Sequence, residues 1–511
     1  MPPPFGSVIT RNRWWAGVAA LIIGLGLLLR VVVWWQQRSI ALDEANLIRN
    51  YVERSYGQLF QNLDYAQYAP PLFSVVVKAC IGLFGNNELS VRLFPLLCSA
   101  ATLVLFWRVV EHWLPPTFAC LALASVAFGG LFIDYATECK QYATEGLGAL
   151  GLLEVAHWAG RRPLTSRLAL GLAVLGAAAV WLSMTAVFVL AGIGLWWLTR
   201  SLLARDYRSA LRLGLVGTAW AASFLAYFFL LLKANAESTY LQRFHHEYFL
   251  AFPPRSQEDF QLLSGQLAGI ADRAIGKTVL AMALAAVGAA VGTWQLLRRR
   301  DELFWLVLVP VLACLTASAL HYYSLIHRLT LFFLPLVIVV VFLGLATLAT
   351  RRVPFAVLVG LSLVVLSNQQ RLRHLFKPFY GDYAEVRTGM EYIARHQRPG
   401  EIAFMNYNVS PVAYYYLRLR TPPMHLDSVV LQQPHPSSTD IFEDAIGQMH
   451  RRGRDRVWLL YDRADESIST LTAAQGHILD RFNFERGYVL LVQFAGPAMA
   501  PDAAPDAVPG Q

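Results

Sequence analysis

Apolar residues in this chain come in blocks of about 18–22, separated by short polar stretches. That spacing limits what the chain can fold into, because a helix of that length crosses about 30 Å of hydrocarbon. The blocks fall at residues 14–35, 93–110, 115–133, 143–160, 166–182, 183–199, 210–232, 276–297, 303–320, 329–349 and 353–368, about eleven in all. Of the 511 residues 56% are hydrophobic and only 15% charged, whereas a soluble chain is nearer 25% charged. The expected fold class is an α-helical polytopic membrane protein. The first block is too long for a signal-peptide core and no small-residue cleavage site follows it, so it reads as a retained span.

A shorter apolar piece at 70–84 starts with Pro70-Pro71 and carries Lys78. It reads as an interfacial helix lying in the first external loop. Basic residues mark one alternating set of loops as cytoplasmic: Arg11 and Arg13, Arg108, Arg161 and Arg162, Arg205 and Arg208, Arg298 to Arg300, Arg351 and Arg352. The amino terminus is therefore expected in the cytoplasm, with the chain integral to a plasma (bacterial inner) membrane. The same rule accounts for the net charge of +9; the basic residues are scattered, and no nucleic-acid partner is expected. Of the five cysteines, Cys80, Cys98, Cys120 and Cys314 lie in or against apolar runs and Cys139 in a polar loop, a spacing that fits neither a disulfide framework nor a metal site.

After about residue 370 the pattern changes. Strand-length runs EIAFMNY, RVWLLYD and YVLLVQF alternate with helical patterns YAEVRTGMEYIARH, STDIFEDAIGQMHRR and LTAAQGHILDRF. This predicts a small α/β domain. The expected organisation is a transmembrane domain over 1–370, an external α/β domain over 371–495 and a disordered Pro/Ala/Asp-rich tail over 496–511. No Gly-rich phosphate loop occurs in the sequence, so nucleotide binding through one has no support.

Four polar clusters fall on the external side. They are Asp43-Glu44, the turn Tyr68-Ala-Pro-Pro, the stretch Tyr135-Ala-Thr-Glu138-Cys-Lys140-Gln-Tyr142, and His321-Tyr322-Tyr323 with His327-Arg328. Each has a plainer reading. Loop acids are usually solvated, tyrosines at span ends usually form an aromatic belt, and Lys140 or Arg328 can be a snorkelling anchor. His321 and His327 are not spaced as a metal pair. His245-His246 beside Glu247 can be simply solvated.

The order of these pieces resembles the type-C glycosyltransferases, in particular bacterial relatives of protein O-mannosyltransferases and of the lipid A aminoarabinose transferase. The resemblance rests on Ala41-Leu-Asp43-Glu44, Ala69-Pro-Pro-Leu-Phe73, Asn87-Glu-Leu-Ser-Val-Arg92, Thr137-Glu138-Cys-Lys140-Gln-Tyr142 and His327-Arg328-Leu-Thr-Leu-Phe-Phe-Leu-Pro335. It spans roughly residues 14–370. Lys140 stands where the family usually has Arg and Gln141 where Pro is common, so the charge is kept but the bidentate fork is lost.

The resemblance implies a glycosyltransferase that takes a sugar from a polyprenyl-phosphate-linked donor and moves it to a lipid, protein or envelope-glycan acceptor outside the cytoplasm, among membrane lipids. An anionic lipid-phosphate leaving group calls for cations, and Lys140, Arg328 and Lys78 are the candidates. Asp43 is the candidate general base, and a single displacement inverts the anomeric centre. Glu44 and Glu138 are further catalytic candidates that orient Asp43, bind sugar hydroxyls or hold a divalent cation; no metal ligand set and no certain cofactor is expected. Tyr68, Tyr142, Tyr322 and His327 are candidate substrate contacts. The alternatives are a lipid-linked-sugar flippase or transporter, and a glycan polymerase or ligase. A transporter places its charges near mid-membrane, whereas here they gather at one face.

Overall fold

In the computed structural model the described residues are 13–349, 385–431, 456–462, 476–484 and 486–494. The expected block at 353–368, the helix expected over 438–452 and the tail from Gly496 lie outside them. The chain divides into two compact units. One comprises Met1–Gln37, Glu53–Phe84 and Leu89–Pro378; the other comprises Arg38–Val52, Gly85–Glu88 and Phe379–Gln511.

The first unit is helical, and each apolar block up to residue 349 forms a helix. Five helices are long and apolar enough to cross a membrane: Arg13–Trp35, Leu93–Trp113, Ala186–Leu203, Tyr207–Leu232 and Val279–Arg299. Pro116–Phe128 and Gly130–Thr137 make a sixth if counted as one span bent by 52°. Shorter apolar helices cover Pro71–Phe84, Ser166–Leu182, Phe304–Ala319 and Leu334–Leu348. The chain is an integral membrane protein by these helices.

Without a hydrophobic drive between helices in lipid, close packing comes from small residues. Gly288 and Gly292, one turn apart on Val279–Arg299, let that helix press on Leu334–Leu348. A Cβ at Gly288 would lie 2.6 Å from the Val341 carbonyl oxygen, and one at Gly344 would strike the Gly288 backbone.

The bend after Phe128 shapes the site. A helix that stops leaves its last carbonyls without amide partners. Arg30, buried within the first long helix, supplies them: its guanidinium donates to Ala127 O at 2.9 Å and to Val126 O at 3.0 Å. Its Nε donates to Ser99 Oγ at 2.8 Å. A charge at this depth is costly unless satisfied; here it is satisfied by backbone, and it fixes where the chain leaves the helix and enters the polar stretch at 135–142.

The second unit is built on a five-stranded sheet of order β2-β1-β3-β5-β4, with β1 Ile402–Met405, β2 Val429–Leu431, β3 Arg456–Asp462, β4 Gly476–Phe484 and β5 Gly487–Phe494. β1 runs parallel to β2 and β3, while β5 is antiparallel to β3 and β4. Helix Val386–His396 buries Val386, Met390 and Ile393, spaced to share one face. Gly389 permits its close approach, since a Cβ there would come 2.7 Å from both Leu460 and Phe484.

β4 corrects the sequence reading. Helix was expected over 471–482, but 476–484 pairs along its length with β5. A neighbouring strand offers a full ladder of backbone partners, and such context overrides weak local propensity.

Two pieces of the first loop, Arg38–Val52 and Gly85–Glu88, belong to this unit. Ser39 N–H donates to Glu385 Oε1 at 2.9 Å, and Ile40 N–H to Tyr416 Oη at 3.0 Å. Glu88, fully buried, accepts from Arg387 at 2.9 Å and Arg420 at 3.1 Å. Burial lowers the basicity of Arg387, but Tyr416, Glu88, Glu385 and Glu391 together outweigh it and hold the guanidinium above its usual range.

Candidate functional site

Residues 135–146 run from the end of a bent span through a short turn into the helix Tyr142–Gly160, and a turn of this kind normally lies on the surface. Here the whole stretch is buried, including Thr137, Glu138, Lys140, Gln141 and Thr144. Cys139, read from the sequence as lying in a polar loop, is fully buried too. Buried charges need partners. Lys140 Nζ donates to Gln67 Oε1 at 2.7 Å, and Gln67 is itself buried. Lys140 therefore does not snorkel.

Tyr135 links two of the expected clusters. Its ring meets Tyr142 edge-on at 5.0 Å, and His327 lies 6.3 Å away. His327 is exposed and Arg328 half-buried, in the turn His327–Thr330. Tyr322 is 76% exposed, whereas its neighbour Tyr323 is buried, with its hydroxyl donating to Leu329 O at 2.8 Å. Lys78 lies 5.3 Å from the centre of the Tyr56 ring. Tyr68 pairs its hydroxyl with that of Tyr227. Burial raises the Tyr68 phenol well above its usual range, and Tyr227 adds to the shift, so it stays a neutral hydroxyl.

Sequence reasoning passed over Gln67 and Glu145, and left His245 as a residue that can be simply solvated. Gln67 adjoins Tyr68 but has no local pattern of its own. Glu145 is fully buried, with neither carboxylate oxygen bonded among the described residues. The one signal was a carboxylate at the head of an apolar block. His245 is held neutral: burial, then the positive charge of Arg328, pushes its pKa down to about 4. This places His245 and Arg328 within electrostatic reach of each other.

The acid pair of the first loop lies in the second unit. Asp43 and Glu44 occupy the first turn of helix Leu42–Glu53. Glu44 is buried and its Oε2 accepts from Ala41 N–H at 3.0 Å, which closes the helix start. Asp43, one position earlier, is only half-buried. The two acids therefore differ: one completes a cap, the other keeps an accessible face. Among the described residues no three His, Cys, Asp or Glu gather closely enough to hold a metal ion.

This arrangement, a helical membrane unit with a small mixed-sheet unit, shares its fold with solved glycosyltransferase structures. Among solved structures, ArnT from Cupriavidus metallidurans in the apo state matches with a TM-score of 0.52 at 14% identity, covering 93% of this chain and 98% of that one. The same protein bound to undecaprenyl phosphate matches at 0.50 and 14%, over 93% and 98%. The Archaeoglobus fulgidus oligosaccharyltransferase in complex with zinc and sulfate matches at 0.51 and 12%, over 86% and 67%. No protein-family model and no curated protein matches the sequence.

Proposed function

We propose that the protein is an integral-membrane glycosyltransferase that moves a sugar from a polyprenyl-phosphate donor to an acceptor on the external face. The observation that carries this reading is Lys140, a cation buried in a polar stretch and held by Gln67 at 2.7 Å. A buried, oriented ammonium suits an anion that arrives from the membrane, such as a lipid phosphate. The shared fold supports the same reading, since one matched structure carries undecaprenyl phosphate.

Lys140 and Arg328 stabilise the departing phosphate, and Lys78 is the third candidate cation. The acceptor oxygen forms its bond to the anomeric carbon as the carbon–phosphate-oxygen bond breaks. The electron pair leaves with the lipid phosphate, and the acceptor proton passes to Asp43. One displacement inverts the anomeric centre. Glu44 serves by fixing the helix that presents Asp43, and Glu138 and Tyr142 bind near Lys140. About eleven spans, with the amino terminus cytoplasmic and the sheet unit external, complete the proposal.

Purified protein supplied with a panel of undecaprenyl-phosphate sugars should release undecaprenyl phosphate with at least one of them, and product from that donor should be inverted. Release from none, with folded protein, would refute the reading.

A further inference from the structure

A cleft of about 690 Å³ opens in the first unit, lined by residues 242–244, 246–249 and His321. Ligand clefts usually measure ~300–1,000 Å³. Its position is braced from two sides. Gln266 Nε2 donates to Glu247 O at 3.0 Å and Phe249 O at 2.7 Å. From the other side Leu325 N–H donates to Tyr248 O at 2.8 Å, and Ser318 Oγ accepts from Leu250 N–H at 3.0 Å. His321 sits in a left-handed backbone conformation, φ 64°, which a non-glycine residue adopts only when its surroundings hold it there. Its ring stacks on Phe249 at 4.9 Å and 11°.

The lining combines flat rings with planar polar groups. Tyr248 and His321 are exposed rings, with buried Phe249 backing His321, and Arg243, His246 and Glu247 are exposed beside them. Charges of both signs lie together, so the cleft suits neither a simple anion nor a purely apolar chain. Rings that pack against the C–H face of a pyranose, with charged groups that bond its hydroxyls, make a carbohydrate site. The cleft also adjoins the proposed donor region: His245 lies within the lined segment and feels the charge of Arg328.

We infer that this cleft is a saccharide-binding subsite, and that the acceptor is a glycan seated there. The inference rests on the transferase reading for the word acceptor, but its test does not. Full-length protein in nanodiscs is titrated separately with three hexasaccharides: a neutral hexose, an N-acetylhexosamine and a uronic acid. Undecaprenyl phosphate is titrated in parallel. At least one hexasaccharide should bind saturably, with affinity falling tenfold or more in Arg243→Ala and in Tyr248→Ala. Arg328→Ala should weaken undecaprenyl phosphate and leave the hexasaccharide bound. Undecaprenyl phosphate binding with no hexasaccharide bound overturns the cleft and spares the donor reading. Hexasaccharide binding that ignores both cleft substitutions also overturns it. Hexasaccharide binding without undecaprenyl phosphate binding upholds the cleft and overturns the donor reading.

Discussion

Lys140 and Gln67 stand 73 positions apart and meet at 2.7 Å, both buried. A hydrogen bond to a charged group contributes about 1.5–3 kcal/mol, and removing one partner strands the other. Gln67→Leu should therefore lower the melting temperature of the detergent-solubilised protein and raise KM for the donor together. Lys140→Met should abolish most donor turnover, with Lys140→Arg recovering part. Normal turnover in Lys140→Met would reduce the lysine to a structural pin.

Asp43 and Glu44 should separate cleanly. Asp43→Asn keeps shape and hydrogen bonding but removes the base, so turnover should fall by ~10²-fold or more with the melting temperature unchanged. Glu44→Ala removes the side chain that accepts from Ala41 N–H, and loss of a cap costs about 0.5–2 kcal/mol. Its effect should appear in thermal melts. Near-normal turnover in Asp43→Asn would leave the residue a solvated loop acid.

Arg328→Ala should raise KM for the donor more than for the acceptor. Arg328→Lys should restore the charge but not the planar fork, and so recover only part of the loss. Steady-state kinetics with each substrate varied in turn would show the split; equal effects on both would count against a phosphate role.

His245 gives a dependence on pH. Its folded pKa, about 4, lies below the ordinary 6.5. Between those values the unfolded chain binds the extra proton and the folded chain does not. Stability linked to this group should be complete above about pH 6.5 and fall progressively towards pH 4. Melting curves of the wild type and His245→Asn, taken from pH 7.5 to 4, should diverge most at the acid end, where only the wild type loses stability to proton uptake by its unfolded chain. Histidine NMR in Arg328→Gln should show the His245 pKa rise, because a repelling charge is gone. An unchanged value would place Arg328 out of reach.

The proposed orientation rests on loop charge. Reporters fused after Arg300 and after Gln370 should report opposite sides of the membrane. The same side for both would break the arrangement.

The sequence by itself determined what short-range periodicity can encode. Apolar blocks became helices up to residue 349, and the runs at 402–405, 456–462 and 487–494 became strands. It also marked 135–142 and 327–328 as polar stretches at block ends, because charge beside long apolar runs is rare enough to notice. Tertiary structure alone decided the partnerships. Nothing near Gln67 announces Lys140, and nothing near Arg30 announces the carbonyls of Val126 and Ala127 that it bonds. Segment 476–484 became a strand because β5 lay ready to pair with it, and residues 38–52 and 85–88 joined the sheet unit through Glu385, Tyr416, Arg387 and Arg420. A repeat along the chain leaves a pattern in the sequence, whereas a single side chain that meets a distant one leaves none until the backbone closes.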